Sequence, residues 1–146
     1  MGHPETMIDV PVGPDTVWAV LEDGWLYPLW VVGATHMRDV DDAWPAVGSR
    51  LHHSVGPWPL QLGDDTEVLD VDPGRMLTLR ARAWPFGTAR VVLTLEATEV
   101  GCRVRMAEEA DQGLGWLVPS MLQAPFVEAR NAEALSRLAD IATQRG

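Results

Sequence analysis

Three segments of the chain, 77–83, 90–97 and 102–106, alternate between apolar and polar side chains. The apolar positions on one side are Leu77, Leu79, Ala81, Ala83, Val91, Leu93, Leu95, Cys102, Val104 and Met106. Period-two alternation predicts strands with one buried and one solvated face. Turn signals such as Gly56-Pro57 and Asp72-Pro73-Gly74 recur at short intervals, so we expect an antiparallel meander.

Helical patterns flank these strands. Gly13-Pro14-Asp15 places a proline and an acid in the first turn of a helix, and Pro28 interrupts the aromatic segment that follows it. From about 116 to 144 an apolar stripe predicts a long helix, in which Pro125 predicts a bend, a break or a restart. The stripe consists of Leu122, Phe126, Ala129, Leu135, Leu138 and Ile141. We therefore predict an α+β fold in which a curved antiparallel sheet holds the C-terminal helix against its apolar face.

Composition narrows the range of partners. The 146 residues are 47% hydrophobic and 22% charged, which suits one domain over 1–146. The net charge is −10 and all the basic side chains are arginine, so neither nucleic acid nor an anionic membrane surface is an expected partner. No segment approaches the ~20 apolar residues of a transmembrane helix, and we expect no integral membrane association. The N-terminus has no signal-peptide pattern and Cys102 is the only cysteine, so we expect a cytoplasmic protein.

Several short motifs, in this order, resemble the START-like helix-grip superfamily, also called SRPBCC, which includes polyketide cyclase/dehydrase and lipid-transport proteins. The motifs are Val17-Trp18, Tyr27-Pro28-Leu29-Trp30-Val31, Trp44-Pro45-Ala46-Val47-Gly48-Ser49, Glu67-Val68-Leu69-Asp70-Val71-Asp72-Pro73, and Arg130-Asn131 with Ala134-Leu135 and Leu138. The resemblance spans nearly the whole chain. It implies two short helices after the first strand and a cavity between the sheet and the long helix.

The resemblance leads us to expect that an apolar small molecule, lipid-like or polyketide-like, binds in this cavity. The expected function is that of a carrier or sensor, and the alternative is a polyketide cyclase or dehydratase that uses acid–base residues of the cavity. Oligomeric state stays open. The expected ligand-binding residues are Tyr27, Trp30, His53, Leu79, Ala81, Leu93, Met106, Glu108, Leu122 and Phe126.

Three polar residues share a strand phase with apolar neighbours and are candidate catalytic residues. Glu108 continues the inward phase of Met106, where a desolvated carboxylate could act as a general acid or base. Alternatively, the strand ends or bulges first and Glu108 is solvated. Asp64 shares the inward phase of its strand, but a bulge at Gly63 would expose it. His53 lies on the face of Leu51, either as a titrating group or as a packed histidine.

The sequence contains no motif typical of a metal site, a dinucleotide site or a nucleophilic serine. Cys102 has no neighbouring histidine, and His52 and His53 point to opposite faces of one strand, so we expect no metal site. The segment Gly113-Leu114-Gly115 lacks the spacing of a dinucleotide site, and no Gly-x-Ser-x-Gly nucleophile motif occurs. We therefore expect no cofactor.

Overall fold

The computed structural model describes residues 5–31, 34–55, 62–82, 88–112 and 120–145. The strands are β1 (Glu5–Val10), β2 (Ala34–Val40), β3 (Arg50–Val55), β4 (Leu62–Asp72), β5 (Met76–Arg82), β6 (Thr88–Ala97) and β7 (Cys102–Gln112). The helices are α1 (Pro14–Leu21), α2 (Tyr27–Trp30) and α3 (Ser120–Arg145), with a 3₁₀ turn at Gly24–Leu26 before α2.

All the paired strands form one antiparallel seven-stranded sheet in the order β1-β7-β6-β5-β4-β3-β2. The first strand therefore pairs with the last one, and β2 to β7 follow each other as a meander. A register shift between Val68 and Asp70 marks an irregularity in β4, and two more lie between β2 and β3. Such shifts bend a sheet locally. The sheet curves and carries α3 on one side, which confirms the predicted α+β helix-grip fold.

The predicted alternation in β5, β6 and β7 is confirmed. The inner positions of these strands that are buried in one hydrophobic core are Leu77, Leu79, Val91, Leu93, Leu95, Cys102, Val104 and Met106. On the outer face Arg103 Nε donates to Asp9 Oδ1 at 2.8 Å and Arg105 Nη1 donates to Glu5 Oε1 at 3.4 Å. Arg103 and Arg105 thus form cross-strand charge pairs with β1.

Helix α3 packs against β1, β7 and the two short helices. Among the described side chains from 128 to 145, its buried stripe consists of Asn131, Ala134, Leu135, Leu138 and Ala142. Ala129, which the sequence places on the stripe, is exposed, and Glu133 and Arg137 form an exposed ion pair one turn apart. The helix is continuous from Ser120 to Arg145, so it is not broken at Pro125; the bend predicted there stays a prediction. Trp116, near the predicted start of this helix, lies outside the described residues.

The connection from α1 to α2 depends on close packing at one glycine. The side chain of Asp23 accepts a hydrogen bond from Trp25 N and begins the 3₁₀ turn. A Cβ atom added at Gly24 would lie 2.5 Å from Leu51 Cδ2 and 2.9 Å from Val40 Cγ1. Only glycine allows the turn to approach the sheet this closely, and this approach sets the position of α2 against the core.

Candidate functional site

Helix α2 places two of the predicted site residues in the interior. Tyr27 and Trp30 are both buried and their rings meet edge to face, 5.5 Å apart at an interplanar angle of 71°. The Tyr27 hydroxyl is hydrogen-bonded to Thr66 Oγ1, 3.1 Å away on the inner face of β4. Burial of an aromatic ring with its hydroxyl paired to a polar partner fixes the helix against the sheet. Trp25, by contrast, has an exposed fraction of 56%.

Glu108 faces inward, as the phase of Met106 predicts. Strand β7 continues to Gln112, so the alternative in which the strand ends before Glu108 is wrong. Its carboxylate forms a salt bridge with Arg130 of α3. The side chain of Glu108 is 10% exposed and that of Arg130 is 29% exposed. The ion pair therefore links the sheet to the long helix, and the Glu108 carboxylate has little contact with water.

Two further polar side chains lie at this end of the interior. Asn131, next to Arg130, has an exposed fraction of 1%, and its Nδ2 atom has no hydrogen-bond partner within the described ranges. The same holds for Thr6 Oγ1 on the inner face of β1, whose backbone pairs with Met106. We call Thr6, Glu108, Arg130 and Asn131 the polar corner.

The pairing of β5, β6 and β7 shows which parts of the inner face of the sheet are covered by packed side chains. Glu108 lies opposite Val91, which lies opposite Leu79, and these apolar partners are buried. In the next row, Ala89 lies opposite Ala81, and both keep part of their surface accessible to solvent although they point inward. Small side chains leave space above the sheet, and partial accessibility indicates that neighbouring groups do not fill it completely.

The remaining predicted lining residues, together with the candidate catalytic residue Asp64, divide into two groups. Leu93 and Met106 are buried in the core cluster beside Leu79. For His53, Asp64, Leu122 and Phe126 the backbone lies in β3, β4 and α3, but the side chains fall outside the described part of the structure.

Backbone register nevertheless locates two of the candidate catalytic residues. His53 and Asp64 lie directly opposite each other in the β3–β4 ladder, two positions beyond the inward pair Leu51 and Thr66. The ladder runs without a register shift through Gly63, so the bulge that would have exposed Asp64 is absent from this pairing. The chemical role of both residues stays a prediction.

A concave feature lies outside the sheet–helix interior. It is an open groove of about 480 Å³ between α1, the 3₁₀ turn and the end of β2, lined by Ala19, Glu22, Asp23, Gly24, Trp25, Val40, Asp41, Asp42 and Trp44. A hydrogen bond from His52, followed by one from the Arg50 backbone amide, lowers the pKa of Asp41. Asp41 thus has partners within the fold. The groove contains none of the predicted site residues.

Within the described ranges, no group of three or more His, Cys, Asp and Glu side chains could hold a metal ion. None of the helices in this part of the chain is both long enough and apolar enough to cross a membrane.

Sequence periodicity missed Arg130 and Asn131 as site residues. A signal for Asn131 existed, because it lies one turn before Leu135 on an otherwise apolar stripe. For Arg130 there was none, since its pairing with Glu108 joins two elements that are distant in sequence.

Comparison with solved structures finds the same fold at low sequence identity. Protein NE0264 from Nitrosomonas europaea is 16% identical with a TM-score of 0.76, and the alignment covers 98% of this chain and 95% of that chain. Ara h 8.0201 is 12% identical with a TM-score of 0.69, and 96% of each chain is covered. DynU16, a protein from the dynemicin biosynthetic locus, is 20% identical with a TM-score of 0.67 over 96% of this chain and 46% of that chain.

A search of curated proteins finds no match. The family model for polyketide cyclase / dehydrase and lipid transport matches residues 1–143. This match covers nearly the whole chain and agrees with the observed helix-grip fold, so the protein belongs to the polyketide cyclase / dehydrase and lipid transport family.

Proposed function

We propose that residues 1–146 act as a single domain that binds an apolar small molecule between the sheet and α3. The function is that of a carrier or sensor in the cytoplasm, and the ligand is lipid-like or polyketide-like. The observation that carries this proposal is the partial accessibility of the inward-facing Ala81 and Ala89, beside the fully buried wall of Leu79 and Val91.

The lining agrees with what small-molecule sites require. Such sites are largely apolar, with a few polar groups that orient the ligand. Buried Leu79, Leu93 and Met106 supply apolar surface, and the Tyr27–Thr66 pair and the polar corner supply the polar groups. The family description supports a lipid or polyketide ligand, and DynU16 comes from a biosynthetic locus. Trp30, His53, Ala81, Leu122 and Phe126 complete the proposed lining.

The test is uptake of the fluorescent apolar probe N-phenyl-1-naphthylamine by the wild type and by Ala81→Leu. A leucine at this position would occupy the space above the inner face, so we expect the affinity for the probe to fall about tenfold or more, the effect of ~1.4 kcal/mol. The matched control is Ala132→Leu, because Ala132 is exposed on α3, and it should bind as the wild type does.

Absence of probe uptake by the folded wild-type protein would contradict the proposal. If wild type and Ala81→Leu bind the probe with equal affinity, the probe does not bind above Ala81 on the inner face of the sheet. Native mass spectrometry of the purified protein, with identification of any bound molecule after mild organic extraction, then tests the ligand class directly.

A second candidate function is that of a polyketide cyclase or dehydratase. One observation favours it: the register sets His53 and Asp64 opposite each other in β3–β4, and both residue types transfer protons. Glu108 is the third candidate, although its carboxylate is held by Arg130. If the protein catalyses such a reaction, His53→Ala or Asp64→Asn should lower turnover of a poly-β-carbonyl substrate by ~10²–10⁴ while probe affinity is kept. A change in probe affinity alone would support the carrier function.

A further inference from the structure

The buried carboxamide of Asn131 is unusual for a helix face that packs on a sheet. Asn131 lies on the same stripe as Leu135 and Leu138, with an exposed fraction of 1%, yet its Nδ2 donor has no partner within the described residues. Most buried polar groups in proteins are hydrogen-bonded, and each exception calls for an explanation. A side chain that only had to fill this position would be apolar.

A second unpaired group lies on the facing strand. Thr6 is on the inner face of β1, which α3 packs against, and its Oγ1 atom is buried without a partner in the described ranges. In an antiparallel pair, diagonal neighbours are roughly 7–8 Å apart, and Thr6 is the diagonal neighbour of Glu108 across β1 and β7. Two elements that pack together therefore each present an unpaired polar atom near one end of the interior.

The charge of the polar corner defines the ligand group that fits it. Arg130 is paired with Glu108, so the two formal charges offset each other. Asn131 contributes a neutral N–H donor, and Thr6 contributes a hydroxyl that can donate or accept. A neutral oxygen acceptor matches these donors, whereas a carboxylate would have to approach the Glu108 carboxylate.

We propose that the polar corner is the recognition site for a neutral carbonyl or hydroxyl oxygen at one end of an otherwise apolar ligand. Asn131 Nδ2 donates the orienting hydrogen bond, and Thr6 supplies a second one. This inference rests on the proposed function, since it assigns the polar end of the ligand that the sheet–helix interior would take up. It excludes a fatty-acid carboxylate as the group bound at this end.

The test compares three probes of nearly equal size: 2-acetylnaphthalene, its hydrocarbon analogue 2-isopropenylnaphthalene, and 2-naphthoate. Each competes with N-phenyl-1-naphthylamine for the wild-type protein. One added neutral hydrogen bond should make the ketone bind roughly threefold to tenfold more tightly than the hydrocarbon. We expect 2-naphthoate to bind most weakly.

Two substitutions remove the proposed donors one at a time. Asn131→Leu should lower the affinity for the ketone to that of the hydrocarbon, while the affinity for the hydrocarbon changes less than twofold. Thr6→Val, which keeps the side-chain shape, should give a smaller loss in the same direction. Gln144→Leu is the matched control because Gln144 carries an exposed carboxamide on the same helix, and it should preserve the preference for the ketone.

Thermal unfolding of the unliganded variants separates recognition from structural support. If Asn131 is an unpaired donor, Asn131→Leu removes a buried polar group and raises the unfolding midpoint. A lowered midpoint in both Asn131→Leu and Asn131→Ala would show that the amide holds the fold together, and it would overturn the inference.

Three binding results would also overturn it: equal affinity of the wild type for ketone and hydrocarbon, an equal loss for both probes in Asn131→Leu, or tightest binding of 2-naphthoate. In each case uptake of N-phenyl-1-naphthylamine by the wild type would leave the proposed function standing. If the folded wild type takes up none of the probes, the proposed function itself fails.

Discussion

Removing Arg130 should destabilise the protein more than neutralising Glu108. In Arg130→Met, the Glu108 carboxyl group loses its cationic partner in a position where its side chain is 10% exposed. In Glu108→Gln, the Arg130 guanidinium loses the negative charge opposite it, but it is 29% exposed and can reach water, and the new amide oxygen can still accept from it. The asymmetry follows from the cost of leaving a charge unpaired away from water.

The expected magnitudes follow from this difference in exposure. Removing one partner of a fully buried ion pair costs ~3–5 kcal/mol. The residual exposure of Glu108 reduces the estimate for Arg130→Met to about 2–4 kcal/mol, and Glu108→Gln should cost about 1 kcal/mol, the worth of one hydrogen bond. The double variant Glu108→Leu with Arg130→Met removes both charges of this pair, so it should lie within about 1 kcal/mol of the wild type.

Urea unfolding measures these differences. With a slope of about 2 kcal/mol per M, Arg130→Met should lower the midpoint by about 1–2 M. The control is Arg137→Met on the same helix, because Arg137 and Glu133 form an ion pair with exposed fractions of 43% and 54%. That substitution should cost less than ~1 kcal/mol.

Two outcomes would refute the reasoning. If Arg130→Met and Glu108→Gln both remain within ~0.5 kcal/mol of the wild type, the pair behaves like a surface ion pair and the polar corner is not desolvated. If the double variant is less stable than Arg130→Met alone, the two side chains stabilise the fold independently rather than by offsetting each other's charge.

Three further predictions concern packing, thiol reactivity and pH. Gly24→Ala should lower the free energy of unfolding in urea by about 1–3 kcal/mol, because the added Cβ would overlap core side chains. At Gly13 an added Cβ meets nothing within 4 Å, so the control Gly13→Ala should cost under about 1 kcal/mol. Equal losses of stability would contradict the close approach of Gly24 to the sheet. Burial raises the pKa of the Cys102 thiol, so Ellman's reagent should modify it in urea but only slowly in the native protein, and fast native modification would contradict its burial. A hydrogen bond from Arg103 lowers the pKa of Asp9. The stabilisation from this ion pair is complete above the pKa of Asp9 in the unfolded state and is lost as pH falls through its pKa in the folded state, so the urea midpoints of wild type and Asp9→Asn should converge in acid. A difference that stays constant with pH would contradict the role of the pair.

The strands could be predicted because their signal is local. Alternation assigns each residue to one face, and burial of that face against a helix leaves little freedom in register. Leu93, Val104 and Met106 therefore lie on the inner face as predicted. Alternation alone could not decide whether β7 extends as far as Glu108. Where β7 ends depends on how far β6 extends beside it, and the pairing of Glu108 with Val91 is a property of two strands together.

The polar corner could not be predicted in the same way. The salt bridge between Glu108 and Arg130 joins a strand to a helix, and which atoms meet depends on how α3 packs on the sheet. Alternation and helical spacing carry no information about that packing. In the sequence, the motif Arg130-Asn131 indicates only a family resemblance, because its chemistry depends on α3 and β7 lying side by side.

Stability measurements can distinguish residues that serve folding from a residue that serves ligand binding. Apolar positions such as Leu135 and Leu138 contribute to folding whether or not a ligand exists. The Nδ2 donor of Asn131, which has no partner in the part of the chain that the structure describes, instead costs stability in the unliganded fold. Groups that conflict with the surrounding pattern are where functional sites are expected. The sign of the stability change in Asn131→Leu is therefore more informative than its size. A gain in stability together with a loss of ketone preference connects the amide to binding, because no purely structural role produces both effects.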